Sequence, residues 1–492
     1  MKEFNKTRAL RKLKFKQNKG KYIKYGTIGI SCLILVLGVM YFTFAKFESK
    51  SPEWTLINGR VKYNGGGDLD VLAIYKDGEK VDEIPAKNSG YMFDRAECTN
   101  GATANWYNSN WSLDIIMTTK TKCSIYFKKP EAASRIIELI SGADTTSTEV
   151  IDKGAAPTGE TYTLAYDGTE DNNIRYVGTN PANYVNYNCD SNGENCELWR
   201  IIGVFNNMYI TENDYTNKTN GKILMKIIKA DLIGYYSWDT STSGTNAGYG
   251  INQWGASTYT NGRTYEGADL MRELNTDYFG NITVGTDGKW YNSDNNSKTK
   301  AMPTTTLNTT AQNMIQDVVW NLGAPNNDNG TYDSSWQSNL ISNTSYTRER
   351  AATNGKVCSS SNSGCNDGVT RTSTWYGKVA LIYPSDYAYA TSGGTTTPRS
   401  TCLNTSMNSW GDSSVKNCKD NDWLFNSNNN KWTLSPHSFY ENAMNGLSIS
   451  SSGYISADGV KSSFGVYPVV YLKSTVKITG GSGTSTDPYT LG

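Results

Sequence analysis

CELWRIIGV at residues 196–204 and GKILMKIIKA at residues 221–230 are short apolar runs, rich in branched residues and edged by polar positions or glycine. That is the pattern of a strand buried on both faces. Working outward from this pair, further strands are expected at 378–383, 432–434, 454–456, 465–472 and 476–479. Two stripes keep helical spacing: Leu270, Met271, Leu274 and Tyr278, then Met314, Ile315, Val318, Val319 and Leu322 before Gly323. They predict two core helices. Short strands, two or three helices and long Asn/Ser/Gly/Thr loops make residues 161–492 an α+β domain.

Upstream, residues 54–129 read as a small β-sandwich. Tyr75-Lys76-Asp77-Gly78 places a D-G turn between strand-forming runs. Residues 130–160 then read as a short helix, with Ile136, Ile137, Leu139 and Ile140 on its apolar face, followed by a Thr/Gly/Pro/Ala-rich linker.

The 492 residues balance 47 Lys+Arg against 46 Asp+Glu. Residues 1–25 hold ten cations against Glu3 alone, so this arm carries +9 and the rest of the chain −8. Positive charge confined to one short arm argues against a nucleic-acid-binding face. Residues 26–45, GTIGISCLILVLGVMYFTFA, contain no charged side chain, and at ~1.5 Å per residue they would span the ~30 Å hydrocarbon layer. The expectation is a membrane helix over 26–46. With the cations on its N-terminal side, the arm would be cytoplasmic and residues 47–492 extracellular, in a single-pass plasma-membrane protein. Cleavage after Ala45, with Thr43 two residues before it, is the alternative to an uncleaved anchor.

Of nine cysteines, Cys32 lies in the apolar segment. The other eight form four local couples, Cys98 with Cys123, Cys189 with Cys196, Cys358 with Cys365 and Cys402 with Cys418, an arrangement suited to disulfides. Zinc is disfavoured, because the spacings are wrong and His437 is the only histidine.

The block from Trp432 to Leu472, with its W-x-L-S-P start and G-V-x-P-V-x-Y-L end, together with LWRIIGV and WYGKVALIYPSDYAYA, resembles surface proteins of Gram-positive gut bacteria. Their C-terminal domain, of unknown function, is related to the C-type-lectin-like and formylglycine-generating (sulfatase-modifying) fold. The resemblance covers roughly residues 173–491 and implies that fold for the larger domain. It departs at Tyr467, where the family carries Arg before the proline. The fold hosts both enzymes and binding proteins, so it assigns no activity.

The residue types narrow the chemistry further. Cys402 and Cys418 read as a structural bridge rather than a copper-binding pair, and a lone His437 does not build a catalytic triad. Asp239, Glu266, Asp269, Glu273, Asp386, Asp420 and Asp422 are unranked candidates for paired-carboxylate chemistry on glycans. No cofactor is called for by any motif, although residues 167–173 (DGTEDNN) and Asp420-Asn421-Asp422 offer hard oxygen donors of the kind calcium takes. With 33 Tyr, 13 Trp and abundant Ser, Thr and Asn, the composition favours a surface of rigid rings among adaptable polar groups. The expected binding residues are Tyr236, Trp238, Trp254, Trp290, Trp375 and Trp410. The leading reading is a module that binds a glycan or protein ligand in adhesion or recognition. Its rivals are a glycan-acting enzyme and a structural or assembly protein.

Overall fold

A computed structural model describes residues 63–64, 69–86, 91–107, 112–117, 119–240, 252–255, 257–259, 264–265, 267–279, 307–322, 337–350, 369–370, 373–439 and 442–492. The chain divides into two compact units, one comprising residues up to Lys87 with Phe93–Lys128, the other Asn88–Met92 with Lys129–Gly492.

The smaller unit has two sheets. In the first, Leu69–Lys76 pairs parallel with Thr121–Lys128 and antiparallel with Glu79–Val81, and Met92–Cys98 closes the far edge. The hairpin turns at Asp77 and Gly78, both at positive φ (49° and 89°), the geometry that Asp-Gly supplies most easily. The second sheet joins Tyr63–Asn64, Ser112–Ile116 and Thr103–Tyr107. Leu113, Ile115, Ile125 and Phe127 are buried, Trp106 meets Phe127 edge to face, and the Cys98–Cys123 disulfide is formed.

In the larger unit the two quoted runs become the strands Glu197–Met208 and Lys222–Lys229, neighbours at the centre of a ten-stranded sheet. Its path runs Val379–Ala380, Val469–Tyr471, Lys222–Lys229, Glu197–Met208, Ile174–Tyr176, Thr161–Tyr166, Ile151–Ala155, antiparallel at each step. Gly203 is required at the crossing with Ile174, where a Cβ would lie 2.0 Å from the Ile174 carbonyl oxygen. Helix Ala132–Leu139 and strand Ile151–Ala155 belong to this unit, with Ile136 fully buried. A second sheet orders Gly234–Tyr236, Phe464–Val466, Lys431–Phe439, Asn442–Ile449 and Ile455–Gly459.

The expected α+β class with an N-terminal membrane helix is corrected. Among the described residues 38% lie in strands and 18% in helices, so these residues are mostly β. One stripe read as a core helix is divided. Thr309–Met314 is helical, but Val318–Asn321 is a strand, because the branched Val318 and Val319 fit a pleated surface and pair with Tyr376 and Gly377. The other stripe is a short helix, Asp269–Glu273, continued by a π-turn at Leu274–Tyr278.

The arm at 1–25 and the apolar segment at 26–46 lie outside the described residues. Among the described residues no helix is long and apolar enough to cross a membrane. Helix Ser342–Arg350 has nine residues, against the ~20 that a span needs. The single-pass plasma-membrane reading, with its cytoplasmic and extracellular sides, is corrected as far as the described residues go: none of them forms a spanning helix.

Candidate functional site

The residues expected to form a binding surface are placed largely in the core. Trp238, Trp254 and Trp410 are fully buried and Tyr236 nearly so, while Trp375 is half-buried against Trp254 with ring centroids 6.1 Å apart. Trp290 lies outside the described residues. Trp238 meets Trp254 and Trp432 edge to face, at 5.5 and 5.8 Å. A ring with no exposed face cannot stack on a ligand, so Trp238, Trp254 and Trp410 are packing residues. Alternation in the strand Gly234–Tyr236 turns Tyr236 inward and Tyr235 outward, and the chain just beyond it carries Trp238 into the core.

Tyr235 is 47% exposed and marks the face on which a site can be built. It stands directly across from Gly465 in the antiparallel pair Gly234–Tyr236 with Phe464–Val466, and residues paired in this way project to the same side. On that side a Cβ at Gly465 would lie 3.0 Å from Oδ1 of Asn429 and 3.4 Å from the Tyr467 ring. The Tyr467 hydroxyl lies 3.2 Å from Nδ2 and 3.3 Å from Oδ1 of Asn429, and Asn426 donates to it at 3.4 Å. Asn426 also accepts from the Asn428 amide, which pins the exposed turn at Ser427 and Asn428. Beneath the ring, Lys431 Nζ sits 4.9 Å from the Tyr467 centroid and donates to the Leu424 carbonyl. Burial lowers this ammonium to about 8, opposed by Asp422. The sequence grouped Tyr235 with its neighbours, and at Tyr467 it showed only the departure from Arg. Nothing local announced that the two tyrosines share a face with an asparagine turn.

The candidate carboxylates do not form one open pair among the described residues. Asp239, Asp269 and Glu273 are buried, and the Asp269 amide donates to Asp239 at 3.3 Å. Thr240 donates to Asp269 through both its amide and its hydroxyl. Asp420 pairs with Lys419. Asp422 is buried, accepts from the Leu424 amide, and is raised well above the usual carboxylate range by burial. Glu266 lies outside the described residues. In the 167–173 loop, Asp167 accepts from the Thr169 hydroxyl, the Thr169 and Asn173 amides, the Asn173 side chain and Arg175. Its oxygens serve the chain's own donors, and among the described residues no cluster of His, Cys, Asp or Glu could hold a metal ion.

Asp386 instead enters a buried charge network. It accepts from Arg175 Nη1 at 2.7 Å and from Lys226 Nζ at 2.5 Å, and all three side chains have 1% exposure or less. Burial alone would raise the Asp386 carboxyl, but Lys226 and Arg175 overcome it and hold the group below its ordinary value. Burial lowers Lys226 to about 8 against the pull of Asp386. Glu349 accepts from the Ser385 amide and hydroxyl and is pushed up to about 8 by burial.

Disulfides join Cys98 to Cys123, Cys189 to Cys196 and Cys402 to Cys418, while Cys358 and Cys365 lie outside the described residues. No family model, curated protein or solved structure matches the chain.

Proposed function

We propose that the larger unit is a glycan-binding module whose contact surface is Tyr235 with the exposed Ser427–Asn428 turn, held in place by the buried Tyr467 and Asn429. One observation carries the reading: a half-exposed aromatic ring stands on the same side of its sheet as an exposed polar turn, Ser427–Asn428, that the buried Tyr467 hydroxyl anchors through Asn426 and Asn429. Sugars combine a C–H face that packs on such rings with hydroxyls that need both donors and acceptors, and a carboxamide supplies one of each. An aromatic ring also offers large contact area at small conformational-entropy cost.

The test is retention of the full chain on a panel of immobilised glycans, with the ligand recovered unchanged. Tyr235→Ala is expected to weaken retention at least tenfold, and Asn426→Ala by less. Retention that ignores both substitutions would overturn the assignment of the face. Release of shortened glycan would favour the enzymatic reading, and self-association at the concentrations used would favour assembly.

A further inference from the structure

The pair Lys226–Asp386 joins the middle of the central sheet to the first turn of helix Pro384–Ala390, 160 positions apart in the chain. The Lys226 ammonium is enclosed by four aromatic rings, with Nζ 4.5 Å from the Tyr383 centroid, 5.1 Å from Phe205, 5.4 Å from Tyr471 and 5.6 Å from Trp320. Both members of the pair are fully buried. The carboxylate is held from three directions: Arg175 on Oδ1 at 2.7 Å, and Lys226 at 2.5 Å with the Tyr383 amide at 2.9 Å on Oδ2. We infer that this is the site of an intramolecular amide cross-link, formed by condensation of the Lys226 side-chain amine with the Asp386 side-chain carboxyl.

The step balances within the pair. The ammonium passes one proton across its hydrogen bond to Oδ2, leaving a neutral amine and a carboxylic acid. The amine lone pair attacks Cγ, and the charge that develops on Oδ1 faces the Arg175 guanidinium, a fixed cation placed where an oxyanion forms. The second proton of Nζ goes to Oδ2, the Cγ–Oδ2 bond breaks, and one water leaves. No oxidant or further reactant enters. Three features favour the step. Two groups held in contact by a packed core react with effective molarities of ~10⁵–10⁸ M. Burial favours the neutral amine over the ammonium and lowers its proton affinity, against the attraction of the four ring faces for the cation. The product also replaces a buried ion pair, which carries a large desolvation cost, by a neutral amide. Asp167 remains opposite Arg175 at 3.0 Å, so the guanidinium keeps a counter-charge after Asp386 loses its own. Glu349, which accepts from Ser385 beside Asp386, is held largely protonated by burial and adds little competing charge.

The full chain, purified and with its disulfides reduced, is expected to have an intact mass one water below that of its sequence. Protease digestion should yield one branched peptide containing both Lys226 and Asp386. Lys226→Arg should restore the full mass and the two linear peptides. Because that variant could also fail to fold, the wild-type digest decides: recovery of the two linear peptides in full yield overturns the inference. A mass deficit without the branched peptide, as a cyclised aspartyl residue elsewhere would give, overturns it equally.

Discussion

Two aromatic clusters of the larger unit use the same residue types to opposite ends. Around Trp238 the rings meet one another, edge to face with Trp254 and Trp432, and the benefit is apolar area removed from water. Around Lys226 the rings of Phe205, Trp320, Tyr383 and Tyr471 surround a side-chain nitrogen, and the benefit is the exclusion of water from its contact with Asp386. Aromatic content alone therefore does not distinguish a packed core from a chemical enclosure. The deciding feature is whether a charged side chain from the central sheet lies inside.

The largest effect is expected where nothing but packing is lost. Trp238→Ala should cost about 3–5 kcal/mol in urea-induced unfolding, and the loss should be independent of pH between 5 and 8, because the indole carries no proton to exchange. Lys226→Met tests the other cluster. It removes the inferred cross-link and leaves Asp386 sharing Arg175 with Asp167, one negative charge in excess, which by itself should cost about 3 kcal/mol, the lower end for breaking a buried pair because Arg175 still answers Asp386. Adding Asp386→Leu should recover the part of that loss caused by the excess charge, leaving the lost cross-link and about 1 kcal/mol for the hydrogen bond that Asp386 accepts from Tyr383 at the start of its helix. If the double variant is no more stable than Lys226→Met alone, an uncovered Asp386 charge is not what destabilises the single variant.

Glu349 sharpens the contrast through pH. Its folded-state value is raised to about 8 from an ordinary 4.5, so between these values the folded chain keeps a proton that the unfolded chain has released. The stabilisation is complete below about pH 4.5, is lost as pH rises toward 8, and levels off above. Glu349→Gln, which cannot ionise, should remove that decline from the stability profile. A profile unchanged in slope would place the titration elsewhere.

These clusters were legible in the sequence to very different degrees. The runs at 196–204 and 221–230 carry their strand character in every residue, so the centre of the sheet could be read locally. The Val318–Val319 stretch could not, because apolar spacing over so few residues suits a helix or a strand, and the choice was made by pairing with Tyr376 and Gly377. Asp386 stood as one of seven unranked carboxylates. Its partners Arg175 and Lys226 come from two strands, and no spacing rule links either to it. The aromatic face was misplaced for a simpler reason. In Tyr235-Tyr236-Ser237-Trp238 the alternation is plain, but its phase is fixed only by which side of the sheet the core occupies.

That phase gives the smallest effect on stability and the clearest effect on binding. Tyr235 projects outward and Trp238 inward from the same segment, so truncating Tyr235 to Ala should shift unfolding by no more than about 0.5 kcal/mol, as for other surface positions. Glycan retention should nevertheless fall at least tenfold, whereas Trp238→Ala should lower both together. The two side chains, three positions apart, thus separate recognition from folding. A Tyr235→Ala chain that unfolds as easily as Trp238→Ala would mean that the exposed ring belongs to the core's support, and the surface proposed for glycans would have to be sought elsewhere on the unit.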